Sequence, residues 1–340
     1  MEAIFKYIFT MLVGAMFLIF FIGFAYKQVD RAETTDALVL IRGFDDYLLL
    51  LTANEEAKDV KDFSSVTTIG FNEGKITSRT EKTSTNRIVY APKTLTGKKI
   101  TARTMKWAFP YPIDSFFYIT NEKYKQVIVY DDKSRDFVME LMEDINTTFD
   151  IKAFSKTDLS AKATAIGNTY QGMARVTFLL ISDDKWETAT KNKVKAAIPK
   201  AVFISAIGQG EETGEDENAK WRPGEITFGD GEKADYIGKE MLIGALYTED
   251  IANYEFNFKR AMDRLSAISD IYKKKAELLD QAMLGSGCDY TGIIGISEMI
   301  NTLGEYGREG GRNMEQMISI SANIERINKR EFGGECPAVF

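Results

Sequence analysis

Between Lys6 and Lys27 the chain carries no charged residue: YIFTMLVGAMFLIFFIGFAY is apolar almost throughout. As a helix rising 1.5 Å per residue, roughly 20 such residues span the ~30 Å hydrocarbon layer of a bilayer. The run therefore predicts a single-pass anchor over residues 1–30, with 7–26 in contact with lipid. A cleaved signal peptide would be apolar for only about 7 to 15 residues and would end at a small-x-small site; Gly23-Phe24-Ala25-Tyr26 is bulky there. Lys6 on one side faces Lys27 and Arg31 on the other, so the flanking charges give the span no direction.

Beyond the anchor, Leu38, Ile41, Phe44, Leu48 and Leu51 continue at helical spacing, which predicts an amphipathic stem within residues 31–62. A long helix, half in lipid and half against a globular head, resembles the layout of type IV pilins and pseudopilins over the first 50 or so residues. No prepilin-type processing site precedes the apolar run.

What the chain lacks narrows its chemistry. Histidine is absent, which excludes Ser-His-Asp and Cys-His catalysis and removes the usual catalytic-zinc ligand. Any catalysis would run on carboxylates, Lys or Tyr, so a carboxylate-based hydrolase is the enzymatic alternative. With 50 acidic against 43 basic residues and a formal charge of -7, the scattered basic residues form no stripe for a phosphate backbone, and nucleic acid is not an expected partner.

Residues 63–120 read as an antiparallel β region. VTTIGF, KITSRT, NRIVYAP, KKITARTMKWAF and DSFFYIT are β-branched and aromatic runs separated by turn residues. Within them Arg103, Lys106 and Trp107, beside Phe109 and Tyr111, have the character of a sugar or anion site, yet a strand with one aromatic core face explains such residues more often.

Residues 121–248 read as an α/β unit. YKQVIVYDDKSRDFVMELM precedes the strand FDIKAFS, and ARVTFLLISDDKWETATKNKVKAAI repeats that order before KAVFISAIG, with GEITFG as a last strand. Tandem strand-helix-strand units predict a mainly parallel, Rossmann-like sheet. Neither strand is followed by Gly-x-Gly-x-x-Gly, and no Walker A loop occurs, so no nucleotide cofactor is expected. Asp131, Asp132, Asp183 and Asp184 fall at carboxyl ends of strands, where such sheets bind ligands, and could hold Mg²⁺ or Ca²⁺. The competing reading is helix capping. Glu211 to Glu217 reads as a solvated loop, and Asn146-Thr147-Thr148 is a glycosylation sequon.

Residues 249–340 read as a helical bundle. Tyr254, Phe258, Met262, Leu265, Ile268, Tyr272, Leu279 and Met283 line one long helix, Ile293, Ile296, Ile300 and Leu303 a second, and Met314, Met317, Ile320, Ile324 and Ile327 a third. Antiparallel packing of the last two brings Cys336 beside Cys288, the only cysteines in the chain. The arrangement predicts a disulfide, and closing a loop of roughly 50 residues would stabilise by about 4 kcal/mol; two separate buried thiols are the alternative. A disulfide places the body of the protein outside the cytoplasm, giving an N-in, C-out topology.

The anchor, KWAFPYPIDSFFYIT, VIVYDD, MLIGALYTEDIANYEFNFKRAMDRL and the terminal GGECPAVF together resemble a group of archaeal membrane proteins of no established activity. The resemblance implies membrane location and archaeal origin and carries over no functional residue. The expected class is α+β, and the expected role is a tethered structural or protein-interaction component of a cell envelope or pilus-like assembly, associating with other envelope proteins or itself. A tethered ligand- or cation-binding sensory module is the alternative.

Overall fold

The computed structural model describes residues 2–52, 56–79, 81–145, 149–182, 185–207, 223–229, 231–248, 250–285, 288–308, 314–331 and 336–339. Side chains are described for all of these except 2–10, 12, 25–36, 223 and several in the last two helices. The chain is α+β, with two six-stranded sheets and eight helices among the described residues.

Helix α1 runs unbroken from Glu2 to Leu51. Ile41, Phe44, Tyr47, Leu48 and Leu51, spaced at three and four residues, are buried because they lie on one helical face. They meet the first sheet at Ile69, Phe71, Ile76, Ile100, Ala102 and Phe117. The helical pattern, expected to run to about Asn54, ends at Leu51, and residues 58–62 of the expected stem segment belong to a strand. Among the described residues no helix is long and apolar enough to cross a membrane. The predicted span, 7–26, lies partly on side chains outside the described set.

The first sheet comprises β1 (Lys58–Asn72), β2 (Lys75–Ser78), β3 (Glu81–Ser84), β4 (Ile88–Tyr90), β5 (Thr94–Ala108) and β6 (Pro112–Thr120). Its order is β3-β2-β1-β5-β6-β4. All its pairings are antiparallel save β4 with β6, which run parallel. The β1–β2 turn places Glu73 and Gly74 at φ 42 and 72, the left-handed region that a tight hairpin needs.

The second sheet comprises β7 (Tyr124–Tyr130), β8 (Ile151–Ser155), β9 (Arg175–Ile181), β10 (Ala201–Ala206), β11 (Pro223–Thr227) and β12 (Lys233–Ile237). Its order, β12-β11-β10-β9-β7-β8, holds four parallel strands and an antiparallel pair at one edge. Both strand-helix-strand units occur as expected, through α2 (Arg135–Ile145) and α4 (Thr188–Ala197). A further crossover helix, α3 (Lys156–Thr169), joins β8 to β9, and β12 extends the sheet beyond the expected last strand.

A short helix, α5 (Gly238–Tyr247), lies between the sheets with Met241, Leu242, Ile243, Ala245, Leu246 and Tyr247 all buried. It is followed by α6 (Ile251–Ala282), which Asp250 caps by accepting a hydrogen bond from Asn253 N at 3.1 Å. The first half of α6 contributes Tyr254, Phe258, Ala261, Met262 and Leu265 to the same core. The C-terminal helices are thus not a separate bundle: α6 is shared with the body, α7 (Thr291–Arg308) packs on α6 and α8 (Met314–Glu331) on α7, and Ile300, Ile320 and Ile324 of these two helices join the same core. The layers run from α1 through the first sheet, then α2, α5 and α6, then the second sheet, to α3 and α4 outside.

Cys288 and Cys336 are disulfide-bonded. The bond secures a C-terminal tail in which Val339 is fully buried against Ala276, Tyr290 and Ile293. Tyr290 Oη donates to Pro337 O at 2.8 Å, and Val339 N donates to Asn328 Oδ1 at 3.0 Å.

Candidate functional site

Strand order makes β7 and β9 neighbours whose following helices cover opposite faces: α2 packs toward the shared core, α4 on the outside. Between their carboxyl ends lies the topological switch point, the usual ligand crevice of such sheets. Asp131 occupies it, but its oxygens are already engaged. Oδ1 accepts from Ser134 N at 2.8 Å and from Ser134 Oγ at 2.9 Å, and Oδ2 accepts from Ser182 Oγ. Ser134 Oγ also accepts from Asp131 N at 3.1 Å, so Asp131 and Ser134 form a reciprocal capping box ahead of α2.

Burial pushes the Asp131 carboxyl up, and the hydrogen bonds from Ser182 and Ser134 outweigh it, leaving the pKa below the ordinary carboxylate range. The residue holds the turn ahead of α2 and ties the end of β7 to the segment after β9. Asp132 is exposed, and Asp183 and Asp184 lie outside the described residues, as do Asn146-Thr147-Thr148 and Glu211 to Glu217. Among the described residues no group of three or more His, Cys, Asp or Glu could hold a metal ion.

The aromatic cluster around Trp107 is core. Trp107, Phe109 and Tyr111 are essentially fully buried, and Trp107 stacks on Phe116 at 5.3 Å between ring centroids. Tyr111 Oη is hydrogen-bonded to Ser269 of α6. These rings are unavailable to a sugar. Lys106 lies three residues from Arg103 on β5, so strand alternation puts the two on opposite faces.

Arg103 has a different setting. Along one face of β5 the side chains run Lys99, Thr101, Arg103, Met105, Trp107, from solvent into the core. The first three line a cleft of about 570 Å³ where the space between the two sheets opens to solvent. Lys58 and Val60 of β1, Thr120 at the end of β6, Asn121 and Glu122 of the β6–β7 turn, Tyr124 to Gln126 of β7 and Phe149 to Ile151 complete it. Arg103 is 4% exposed. Its Nη1 donates to Tyr247 Oη at 3.0 Å, and its guanidinium sits 5.3 Å from the Phe149 ring centroid. Its Nε is buried without a hydrogen-bond partner among the described residues.

At the rim, Lys125 Nζ donates to Asp150 at 2.9 Å and holds that carboxyl below its ordinary pKa. Glu122 is the other acid of the lining, against Lys58, Lys99, Arg103 and Lys125. The cleft is therefore net cationic in a chain of net charge -7. Sequence reading singled out Arg103 but grouped it with Lys106 and Trp107; strand alternation puts Lys106 on the other face, and Trp107, on the same face as Arg103, lies deeper in the core. Compared with protein-family models, curated proteins and solved structures, the chain matches none.

Proposed function

We propose that this is a single-pass membrane protein whose α+β head stands outside the cytoplasm and serves as a structural or protein-interaction component of an archaeal cell-envelope or pilus-like assembly. The observation that carries the reading is the division of labour along α1. Met16, Phe17, Leu18, Ile19, Phe20, Phe21 and Ile22 are consecutive and 47–70% exposed, so they point in every direction around the helix. Exposed apolar surface of this extent marks a lipid or protein contact, and the uncharged run around it matches the bilayer in length. Farther along the same helix, Ile41, Phe44 and Leu48 are buried in the head. Anchor and head would then be joined by packed helix instead of a flexible linker.

The disulfide supports the side of the membrane, since such bonds persist in oxidising compartments. Alkaline carbonate extraction tests the anchor: the full chain should stay with the membrane fraction and be released by detergent, and release by carbonate alone would overturn it. Protease treatment of sealed cells tests the side, with degradation of the head expected and full protection contrary. Crosslinking before gentle detergent extraction tests the role. Discrete higher-mass species support an assembly component; a strictly monomeric protein without partners counts against it.

A further inference from the structure

We infer that the cleft floored by Arg103 is a binding site for a small soluble anion bearing a carboxylate or phosphate group. A buried guanidinium is costly unless its donors are satisfied. Arg103 has one donor on Tyr247 Oη, one cationic face on Phe149 and a buried Nε without a partner among the described residues. It is held by aromatic groups on two sides and has no carboxylate salt-bridge partner among the described residues. A planar, five-donor group in that state is preorganised for bidentate pairing with an oxyanion.

The surroundings favour the same ligand. Lys58 and Lys99 approach from neighbouring strands, since Lys58 pairs in register with Arg103 itself. Asn121 and Gln126 also line the cleft, with amides engaged in the protein: Asn121 Nδ2 donates to Thr96 O at 3.2 Å and its Oδ1 accepts from Lys123 N at 2.9 Å, and Gln126 Nε2 donates to Thr120 Oγ1 at 3.5 Å. Of the two acids in the lining, Asp150 is paired with Lys125 and Glu122 is exposed. The volume, about 570 Å³, falls in the range of small-molecule sites. The cleft lies near the end of α1 farthest from its exposed apolar stretch: Lys61 stands 5.6 Å from the Tyr47 ring. From Tyr26 to Tyr47 the helix advances about 30 Å at 1.5 Å per residue. That separation favours a soluble anion over a lipid headgroup. The choice of a soluble anion over a lipid headgroup rests on the anchor reading; the oxyanion site at Arg103 does not.

Calorimetric titration of the detergent-solubilised full chain with inorganic phosphate and with citrate tests the site, alongside sedimentation with vesicles containing phosphatidylglycerol. Saturable binding of at least one soluble anion is expected. Arg103→Lys keeps the charge but loses the fork, and should weaken binding at least about tenfold. Because Arg103 also supports the core, the double variant Lys58→Glu and Lys99→Glu changes exposed rim charge, breaking only the solvent-exposed Lys99–Asp62 pair, and should abolish binding while leaving the melting temperature nearly unchanged. Absence of saturable binding by either soluble anion overturns the inference, including the case in which only vesicles bind. Binding that survives in the folded rim variant overturns it as well.

Discussion

Where α5 passes between the sheets, a few residues carry an unusual electrostatic load. Tyr90, Tyr118 and Tyr254 lie with neighbouring ring centroids 5.8 Å apart, and Tyr118 Oη donates to Glu240 O at 2.8 Å. Burial drives the Glu240 carboxyl up to about 7; Lys239 draws it down, while Asp144 and Glu56 add to the rise. A carboxyl raised in the folded state binds its proton more tightly there than in the unfolded chain. Its contribution is therefore complete below the unfolded value of 4.5 and is lost as pH rises through about 7. Glu240→Gln should remove at most about 3 kcal/mol of that pH-dependent loss, seen as a flatter dependence of the urea midpoint between pH 5 and pH 8 (about the titration range); an unchanged slope would refute it. Tyr90 offers a second case. Its hydroxyl is buried without a hydrogen-bond partner among the described residues, so Tyr90→Phe should be neutral or stabilising by up to about 1 kcal/mol. Gly244→Ala should do the reverse. A Cβ there would meet the Tyr90 ring at 2.7 Å, and overpacking of this kind costs about 1–3 kcal/mol in thermal or urea unfolding.

Among the elements, those with a periodic apolar face were legible in the sequence, and those buried on all sides were not. The stem of α1 and the helices α6, α7 and α8 each repeat apolar residues at three- and four-residue steps, and the β runs were separated by turn residues. GKEMLIGALY in α5 has no polar stripe after its first turn, so its periodicity cannot distinguish a buried helix from a buried strand. In α3, Lys, Ser, Thr and Ala alternate with only Leu159, Ala163, Ile166 and Gly167 buried, too few large side chains to mark a face. The cleft was invisible for another reason: its lining comes from β1, β5, the β6–β7 turn, β7 and the start of β8, and only sheet pairing brings these together. The disulfide was legible because short helix connections fix which ends meet. Its consequence belongs to the tail. Reduction, or Cys288→Ser with Cys336→Ser, should release the segment holding Val339 from the pocket formed with Ala276, Tyr290 and Ile293. Stability should fall by up to about 4 kcal/mol. Hydrogen exchange should show faster amide turnover at residues 336, 338 and 339 and in α8, with α5 unaffected; equal acceleration throughout would mean the bond supports the whole head.

At the scale of the molecule, the open question is whether the two sheets are two folding units or one. Sequence texture suggests two, a β region followed by an α/β unit. The apolar contacts indicate one: a single buried cluster contains Tyr90, Trp107 and Phe116 of the first sheet, Ile128, Leu179 and Ile204 of the second, and the buried face of α5. Polar contacts cross the same boundary, because Asn257 of α6 accepts from Val89 N at 3.2 Å and donates to Val89 O at 2.8 Å. Arg103 of the first sheet reaches Tyr247 of α5, and Arg175 of the second reaches Thr248 O at 3.2 Å. Removing α5 and α6 from between the sheets would expose apolar faces on both, so neither should hold its structure alone. Trp107 lies in the shared cluster and Trp186 in the outer cluster of the second sheet. In a Trp221→Phe background, variants retaining only Trp107 or only Trp186 report on the two halves separately. Within each variant the fluorescence midpoint in urea should coincide with the far-ultraviolet circular dichroism midpoint. If the Trp186 signal changed while half of the secondary structure persisted, the second sheet would be a separate unit, and α5 would be a linker instead of the element that joins the head into one body.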